Sequence, residues 1–176
     1  MTRRSLCIAT ALTLLTAFSL PAQKKNTLSP KDQASITLGG SKITIDYSRP
    51  SLRGRKAVGG SLVPFNQVWR TGADEATKLT TPVDIQIGDL KVPAGSYALF
   101  TLPTEKGWTL IVNKTADQWG AFTYDKATDL GRVPMEMAKP ASTVEKFTIE
   151  LKPAGDKKAK LVLMWENTEA SVDVTI

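Results

Sequence analysis

Hydrophobic and polar side chains alternate along several short segments of the chain, which is typical of β-strands with one buried face. The segment 42–48 is the clearest case, because Ile43, Ile45 and Tyr47 fall on one face and polar residues fall on the other. A Gly39-Gly40 pair precedes it and follows another alternating run. Paired glycines between two such runs predict a β-hairpin.

Similar segments recur along the rest of the chain, separated by residues that favour turns. They are 83–87 with 90–92, 96–102 with 108–113, 144–152 with 160–165, and a final run at 172–176. No stretch keeps the 3.6-residue apolar period of an amphipathic helix over a helix's usual length. The pattern predicts an all-β fold, mainly an antiparallel β-sandwich of about 8–10 short strands with little helix, and a closed β-barrel is the alternative.

Two long segments interrupt this alternation. The first, 49–68, is rich in Arg, Gly and Pro. The second, 115–133, contains Trp119, Phe122 and Tyr124. Connections longer than about 12–15 residues are uncommon and are often functional. The aromatic residues of the second segment are expected either to plug the end of the core or to form the wall of a binding site.

The amino-terminal residues have the layout of a secretory signal peptide. Arg3 and Arg4 precede an uncharged apolar stretch, 6–20, which is followed by Pro21-Ala22. The stretch is shorter than the roughly 20 residues that a membrane-spanning helix needs, so an uncleaved anchor is the weaker alternative. We therefore expect a signal peptide at 1–22, a single β-sandwich domain at 23–176, export to the periplasm or medium, and no membrane span after cleavage.

Composition narrows the possible chemistry. The chain has no histidine, and its one cysteine, Cys7, lies in the expected signal peptide. Disulfides and imidazole-dependent catalysis are therefore excluded for residues 23–176, and we expect no cofactor and no metal. Loss of residues 1–22 lowers the formal net charge from +6 to +4. The basic residues are dispersed without interleaved aromatics, which argues against nucleic-acid binding.

The candidate site residues cluster within thirty positions. They are Asp46, Tyr47, Arg49, Arg53, Arg55, Trp69, Arg70, Asp74 and Glu75. Converging guanidinium groups would suit a carboxylate or another anionic group, and the whole set predicts a site for a glycan or an anionic ligand. The alternative is structural: Arg49 or Arg70 pairs with one of the acids to pin the long loop, and Trp69 plugs the core.

The same segments resemble the bacterial family catalogued as domain of unknown function 2911. The resemblance lies in Tyr47-Ser48-Arg49-Pro50, Arg53-Gly54-Arg55, Leu62-Val63-Pro64-Phe65 and the runs 68–77 and 92–100. It implies an exported protein with a compact β domain and no established reaction, so it transfers no catalytic residue. Phe65 stands where similar proteins are expected to have Tyr.

Three functional hypotheses follow. The first is a non-catalytic binding module of the bacterial envelope that uses the Arg-rich loop. The second is an envelope interaction or structural accessory domain, in which a strand edge or the segment 119–124 docks on a protein partner. The third is a carboxylate-dependent hydrolase, which leaves enzymatic activity open; Asp46 with Asp74 or Glu75 would be its carboxylate pair. Oligomeric state does not follow from the sequence.

Overall fold

The computed structural model describes residues 28–176, so the expected signal peptide and Cys7 lie outside the described residues. Twelve strands and one short 3-10 turn, Lys126–Thr128, follow one another along the chain. The strands are β1 (Lys31–Leu38), β2 (Ser41–Ser48), β3 (Thr77–Thr81), β4 (Ile85–Ile87), β5 (Leu90–Val92), β6 (Gly95–Pro103), β7 (Trp108–Asn113), β8 (Asp129–Pro134), β9 (Glu136–Ala138), β10 (Val144–Gly155), β11 (Lys158–Glu166) and β12 (Thr168–Thr175).

The strands form two antiparallel sheets. The first sheet has the order β1-β2-β3-β6-β7-β8, and the second has the order β10-β11-β12-β4-β5, with β9 also paired to β12. The prediction of an all-β sandwich is confirmed, and the closed-barrel alternative is wrong. The sheets approach each other at β1 and β10 and at β5 and β8, but no ladder joins them there. The strand number exceeds the expected range because β3, β8 and β9 form outside the segments in which alternation predicts a strand.

The first hairpin forms as the alternation predicts. β1 and β2 pair along their whole length, from Lys31 opposite Ser48 to Leu38 opposite Ser41. The turn needs two glycines because the φ angles of Gly39 and Gly40 are 51° and 84°, in the left-handed region. Within β2 the apolar positions are buried and Asp46 is exposed. Asp46 therefore points away from the core, toward the outer face of the first sheet.

The core between the sheets contains an aromatic cluster centred on Trp69. Its ring stacks on Trp165 with centroids 5.8 Å apart, and it meets Phe147 at 4.9 Å and Trp108 at 6.1 Å in edge-to-face geometry. Reciprocal backbone hydrogen bonds between Trp69 and Thr101 hold it against β6. Trp69 is only 5% exposed, so it lies inside the sandwich and cannot contact a surface ligand.

A second, smaller apolar cluster lies apart from the main core. Ala98, Phe100 and Ile111, on β6 and β7, belong to it, and Ala121 and Tyr124 from the connection after β7 pack against it. The Tyr124 ring meets the Phe100 ring edge-on at 5.0 Å. Tyr124 therefore covers apolar surface, whereas Trp119 and Phe122 of the same connection are exposed.

The long connection between β2 and β3 contains no named strand. It packs Leu52, Ala57 and Val63 into the core. Glu166, at the end of β11, anchors it, because its Oε2 accepts hydrogen bonds from the backbone N–H groups of Ala57 and Val58 at 3.1 and 3.0 Å. Across residues 28–176, no helix is long and apolar enough to span a bilayer.

Candidate functional site

A groove of about 400 Å³ opens beside β1, β2 and β3. Its lining residues come from β1, β2, the approach to β3 and the connection after β7, and they are Lys31, Asp32, Asp46, Tyr47, Ser48, Glu75, Ala76, Lys78, Ala116, Asp117, Gln118 and Trp119. Pockets that hold small ligands commonly measure about 300–1,000 Å³. The groove is therefore large enough for a small molecule or for part of a polymer.

The floor of the groove follows from strand register. Asp46 of β2 lies directly opposite Gln33 of β1 and Lys78 of β3. Directly opposed residues of antiparallel strands point to the same face, so all three side chains project from the outer side of the first sheet. Gln33 Nε2 donates a hydrogen bond of 2.7 Å to one Asp46 carboxylate oxygen. This bond leaves the second carboxylate oxygen for a ligand.

One wall is a tight turn at 70–76, which immediately precedes β3. Two of its non-glycine residues have φ in the left-handed region, Thr71 at 55° and Asp74 at 59°. Thr77 Oγ1 closes the turn by donating to the Thr71 carbonyl oxygen at 2.6 Å. A Cβ on Gly72 would lie only 3.0 Å from the Ser48 carbonyl oxygen, so the turn packs closely against β2. The turn presents Glu75 toward the groove.

The opposite wall is the segment 116–120, which pairs with this turn. Gly120 N–H donates to the Asp74 carbonyl at 3.0 Å, and Ala76 N–H donates to the Gln118 carbonyl at 2.9 Å. Glu75 and Trp119 form an isolated antiparallel bridge between these two bonds. The two walls are therefore fixed to each other by backbone hydrogen bonds.

Asn113 anchors the second wall from inside the protein. This side chain is fully buried, and its Nδ2 donates to the Asp125 carbonyl, Thr128 Oγ1 and an Asp129 carboxylate oxygen. Its Oδ1 accepts hydrogen bonds from Thr115 N, Gln118 Nε2 and Thr128 Oγ1. A buried amide with so many partners fixes the path of the chain from 113 to 129.

Two ion pairs cross the groove. Lys31 Nζ lies 3.2 Å from a Glu75 carboxylate oxygen, and Lys78 Nζ lies 2.8 Å from a carboxylate oxygen of Asp117. Exposed pairs of this kind contribute little to stability and exchange readily with other partners. Four carboxylates and two lysines line the groove. Its walls are therefore rich in hydrogen-bonding groups and carry a slight excess of negative charge.

Trp119 is the large aromatic side chain that the groove leaves open to solvent. It is 61% exposed, whereas the other three tryptophans of the chain are at most 5% exposed. Burying an aromatic face of this size is strongly favourable. Trp119 therefore offers an apolar surface beside the carboxylates and lysines of the groove.

Two tyrosines near the site have a raised pKa. Burial raises the pKa of Tyr47, whose hydroxyl oxygen accepts a 3.1 Å hydrogen bond from Ile149 N–H. Burial, followed by the hydrogen bond to the Asp129 carboxylate, raises the pKa of Tyr124 to about 12. Both hydroxyls are therefore protonated at neutral pH, and both serve as fixed hydrogen-bonding groups.

Three of the sequence-predicted residues, Asp46, Tyr47 and Glu75, line the groove. Arg49 lies at its margin, where Nη1 is 3.1 Å from the Asp32 carboxylate. The pairs Arg49–Asp32 and Lys31–Glu75 are not among those that the structural alternative proposed. Asp74 contributes mainly its backbone, through the carbonyl that accepts from Gly120.

The four arginines are not gathered around one ligand position. Arg53 donates through Nη2 to the Leu28 carbonyl, and Arg55 donates to the carbonyls of Leu52 and Ser51. These two guanidinium groups brace the long connection. The Arg70 side chain lies instead near Gly120 and shares none of the contacts of Arg49.

The groove residues that sequence reasoning did not select include Lys31, Asp32, Lys78, Asp117, Gln118 and Trp119. The sequence predicts that Trp119, as an aromatic of the long segment 115–133, either plugs the core or forms the wall of a binding site, and it lies in the wall of the groove. The alternation on β1 and β3 could have marked their outward-facing positions. Within residues 28–176, no cluster of three or more Asp, Glu, His or Cys side chains is arranged to hold a metal ion.

Fold and groove together define an antiparallel β-sandwich protein with a ligand-sized groove beside one sheet. The family model described as "Protein of unknown function (DUF2911)" matches residues 29–174, and the chain belongs to this family. The resemblance seen in the sequence is thereby confirmed. Comparison with curated proteins and with solved structures gave no match.

Proposed function

We propose that this protein is an exported, non-catalytic binding module of the bacterial envelope, and that its groove binds a polyhydroxylated ligand, in particular a glycan. The observation that carries the proposal is the exposed Trp119 at the edge of a groove lined by carboxylates, lysines and an amide. The apolar face of a sugar ring stacks on an aromatic ring, while its hydroxyls exchange hydrogen bonds with charged and amide groups.

The charges of the groove favour a neutral sugar there over a polyanion. Carboxylates outnumber lysines along its walls, and Lys31 and Lys78 each already have a carboxylate partner. The Arg49, Arg53 and Arg55 guanidinium groups are engaged with the chain itself. The Arg-rich connection therefore supports the scaffold, and the groove is the better candidate for ligand contact.

The groove favours binding over hydrolysis. A carboxyl group that acts as general acid at neutral pH needs an environment that shields it from water and from positive charge. Glu75 and Asp117 are both open to solvent and each contacts a lysine ammonium group. Asp46 is exposed and is hydrogen-bonded to Gln33. These three carboxylates lack such shielding, and their exposed oxygens are suited to accepting hydrogen bonds from hydroxyls.

Binding is tested with residues 23–176 on an array of bacterial and plant oligosaccharides, followed by titration of the retained sugars. We expect Trp119→Ala to weaken binding about tenfold, the effect of losing about 1.4 kcal/mol of stacking. Met137→Ala is the matched control, because Met137 is an exposed apolar residue on the second sheet. Retention of no oligosaccharide, or equal affinity of the Trp119→Ala variant and the parent, contradicts the proposal.

A second candidate is a protein-docking surface formed by Trp119 and Phe122. Phe122 is 85% exposed, and it lies three residues from Trp119. Exposed aromatics that lie close together are typical of interaction sites. Crosslinking in the native envelope tests this function: a protein partner lost in a Trp119→Ala/Phe122→Ala double variant would support it, and an uncrosslinked monomer would contradict it.

A further inference from the structure

Arg70 differs from the other arginines in its hydrogen bonding. Nε of Arg49, Arg55 and Arg132 each donates to an oxygen 3.0 Å away. Arg70 Nε is buried, and no acceptor among residues 28–176 lies within hydrogen-bonding distance of it. Buried polar groups are nearly always paired, so an unpaired one calls for an explanation.

The chain also supplies no counter-ion for Arg70. No carboxylate within residues 28–176 lies within ion-pair distance of its guanidinium group, and residues 1–27 contain no Asp or Glu. A guanidinium group remains charged at any physiological pH. Within residues 28–176, Arg70 therefore keeps a partly buried positive charge without a partner, which costs stability and is a common property of functional residues.

The position of Arg70 connects it to the groove. Its Cδ lies 3.9 Å from where a Cβ on Gly120 would be, and Gly120 directly follows Trp119. The Arg70 carbonyl accepts a hydrogen bond from Thr77 N–H, at the base of the turn that presents Glu75. Arg70 therefore lies just beyond the wall formed by Glu75 and Trp119.

We propose that Arg70 forms an anion subsite beside the groove, and that it binds the carboxylate of an acidic sugar whose neighbouring ring stacks on Trp119. This inference rests on the proposed glycan-binding function. The Nη groups, at the outer end of the planar guanidinium fork, match the two oxygens of a carboxylate. A single positive charge neutralises one carboxylate better than a doubly charged phosphate. The groove carboxylates repel an anion placed among them, so an acidic group is directed outward to Arg70.

The experiment uses ¹⁵N-labelled protein of residues 23–176 and two matched probes: aldotriouronic acid, which carries one uronic acid on a neutral disaccharide, and its methyl ester. NMR follows the Nε–H resonance of Arg70, assigned by its loss in Arg70→Met, together with the indole N–H of Trp119. The Nε–H resonances of Arg49 and Arg132, whose hydrogen bonds lie within the chain, are internal references. We expect the acid to shift both reporters and the ester to shift only Trp119.

Affinities supply the second readout. A charge-assisted hydrogen bond of ordinary strength corresponds to about tenfold tighter binding of the acid than of the ester. In Arg70→Met this preference is expected to vanish while binding of the ester is unchanged. Equal binding of acid and ester by the parent, or an Arg70 resonance that does not move, overturns the subsite.

The two reporters separate this proposal from the proposed function. If only the Trp119 indole resonance shifts, and it does so with both probes, the glycan groove is supported and the Arg70 subsite is overturned. If only the Arg70 Nε–H resonance shifts, an anion site is supported and stacking of a sugar ring on Trp119 is contradicted. If neither resonance moves with either probe, both proposals are wrong for acidic sugars of this class.

Discussion

At the scale of single residues, a few buried polar side chains hold the segment that carries Trp119. Asn113 fixes the start of this segment through its amide. Tyr124 fixes its end, since its hydroxyl donates to Asp129 at 2.8 Å while its ring packs on Phe100. Arg132 Nε donates to the same Asp129 oxygen at 3.0 Å. Trp119 is therefore an exposed residue on a well-anchored chain.

Tyr124 should give the protein a measurable alkaline sensitivity. Its pKa is raised to about 12 in the folded chain, against about 10 in the unfolded chain. Between these values the unfolded chain loses the proton and the folded chain keeps it, so stability falls as pH rises. We expect urea unfolding midpoints to drop more steeply from pH 8 to pH 11 in the parent than in Tyr124→Phe. Parallel slopes would show that Tyr124 does not contribute.

At the scale of elements, the turn 70–76 is the unusual feature. Most non-glycine residues avoid positive φ, and a β-branched residue there is an outlier. Thr71 has φ of 55° although it is fully buried, and Asp74 has φ of 59°. Residues held in such conformations cluster at functional sites because the surrounding structure must maintain them. This turn supplies Glu75 and the backbone contacts to segment 116–120.

Substitutions at Asp74 should separate backbone strain from side-chain chemistry. Asp74→Ala and Asp74→Gly both remove the carboxylate, but only glycine adopts φ near 59° without cost. We expect the alanine variant to be less stable than the glycine variant by about 1 kcal/mol in urea denaturation. The same pair at Asp89, which has no positive φ, should give the opposite order. Equal stabilities of the two Asp74 variants would contradict a strained turn.

The elements also differ in how far the sequence predicts them. The β1–β2, β4–β5, β6–β7 and β10–β11 hairpins were all predicted, because strand alternation and turn residues are local signals. β3, β8 and β9 were not predicted, although β3 pairs with two neighbouring strands and β8 and β9 each pair with one. β8 overlaps the long segment 115–133, β9 follows it, and β3 lies between the long segment 49–68 and the predicted run 83–87. Short strands form in these regions only because their partner strands supply the hydrogen bonds.

At the scale of the whole molecule, the two sheets are tied together at their margins. Arg49, just after β2, donates through Nε to the Phe147 carbonyl at 3.0 Å and through Nη2 to Thr148 Oγ1 at 2.7 Å. Phe147 and Thr148 belong to β10 of the second sheet, whereas Asp32, the ion-pair partner of Arg49, belongs to β1 of the first. Arg49 therefore joins the sheets beside the groove.

Comparison of Arg49→Met with Arg70→Met should distinguish a structural arginine from a functional one. Arg49→Met removes charge-assisted bonds between the sheets, and we expect a loss of about 2–3 kcal/mol in the free energy of unfolding. Arg70→Met removes an unpaired buried donor and keeps the apolar stem, so we expect a change within about 1 kcal/mol. Thermal and urea denaturation measure both. A larger loss for Arg70→Met would assign Arg70 to the scaffold.

The sequence by itself determined the all-β class, the family resemblance and those strands in which hydrophobic and polar residues alternate. These features follow from the sequence because the side-chain period of a strand and the chemistry of a turn involve only residues that are near neighbours in the chain. Only the tertiary structure decided which outward-facing residues meet. Asp46, Glu75 and Trp119 are far apart in sequence and share one groove because β2 neighbours β3 and because the turn 70–76 pairs with 116–120. The arginines are close in sequence, yet their side chains do not meet. Each side chain points where its own backbone segment directs it and binds the partners found there.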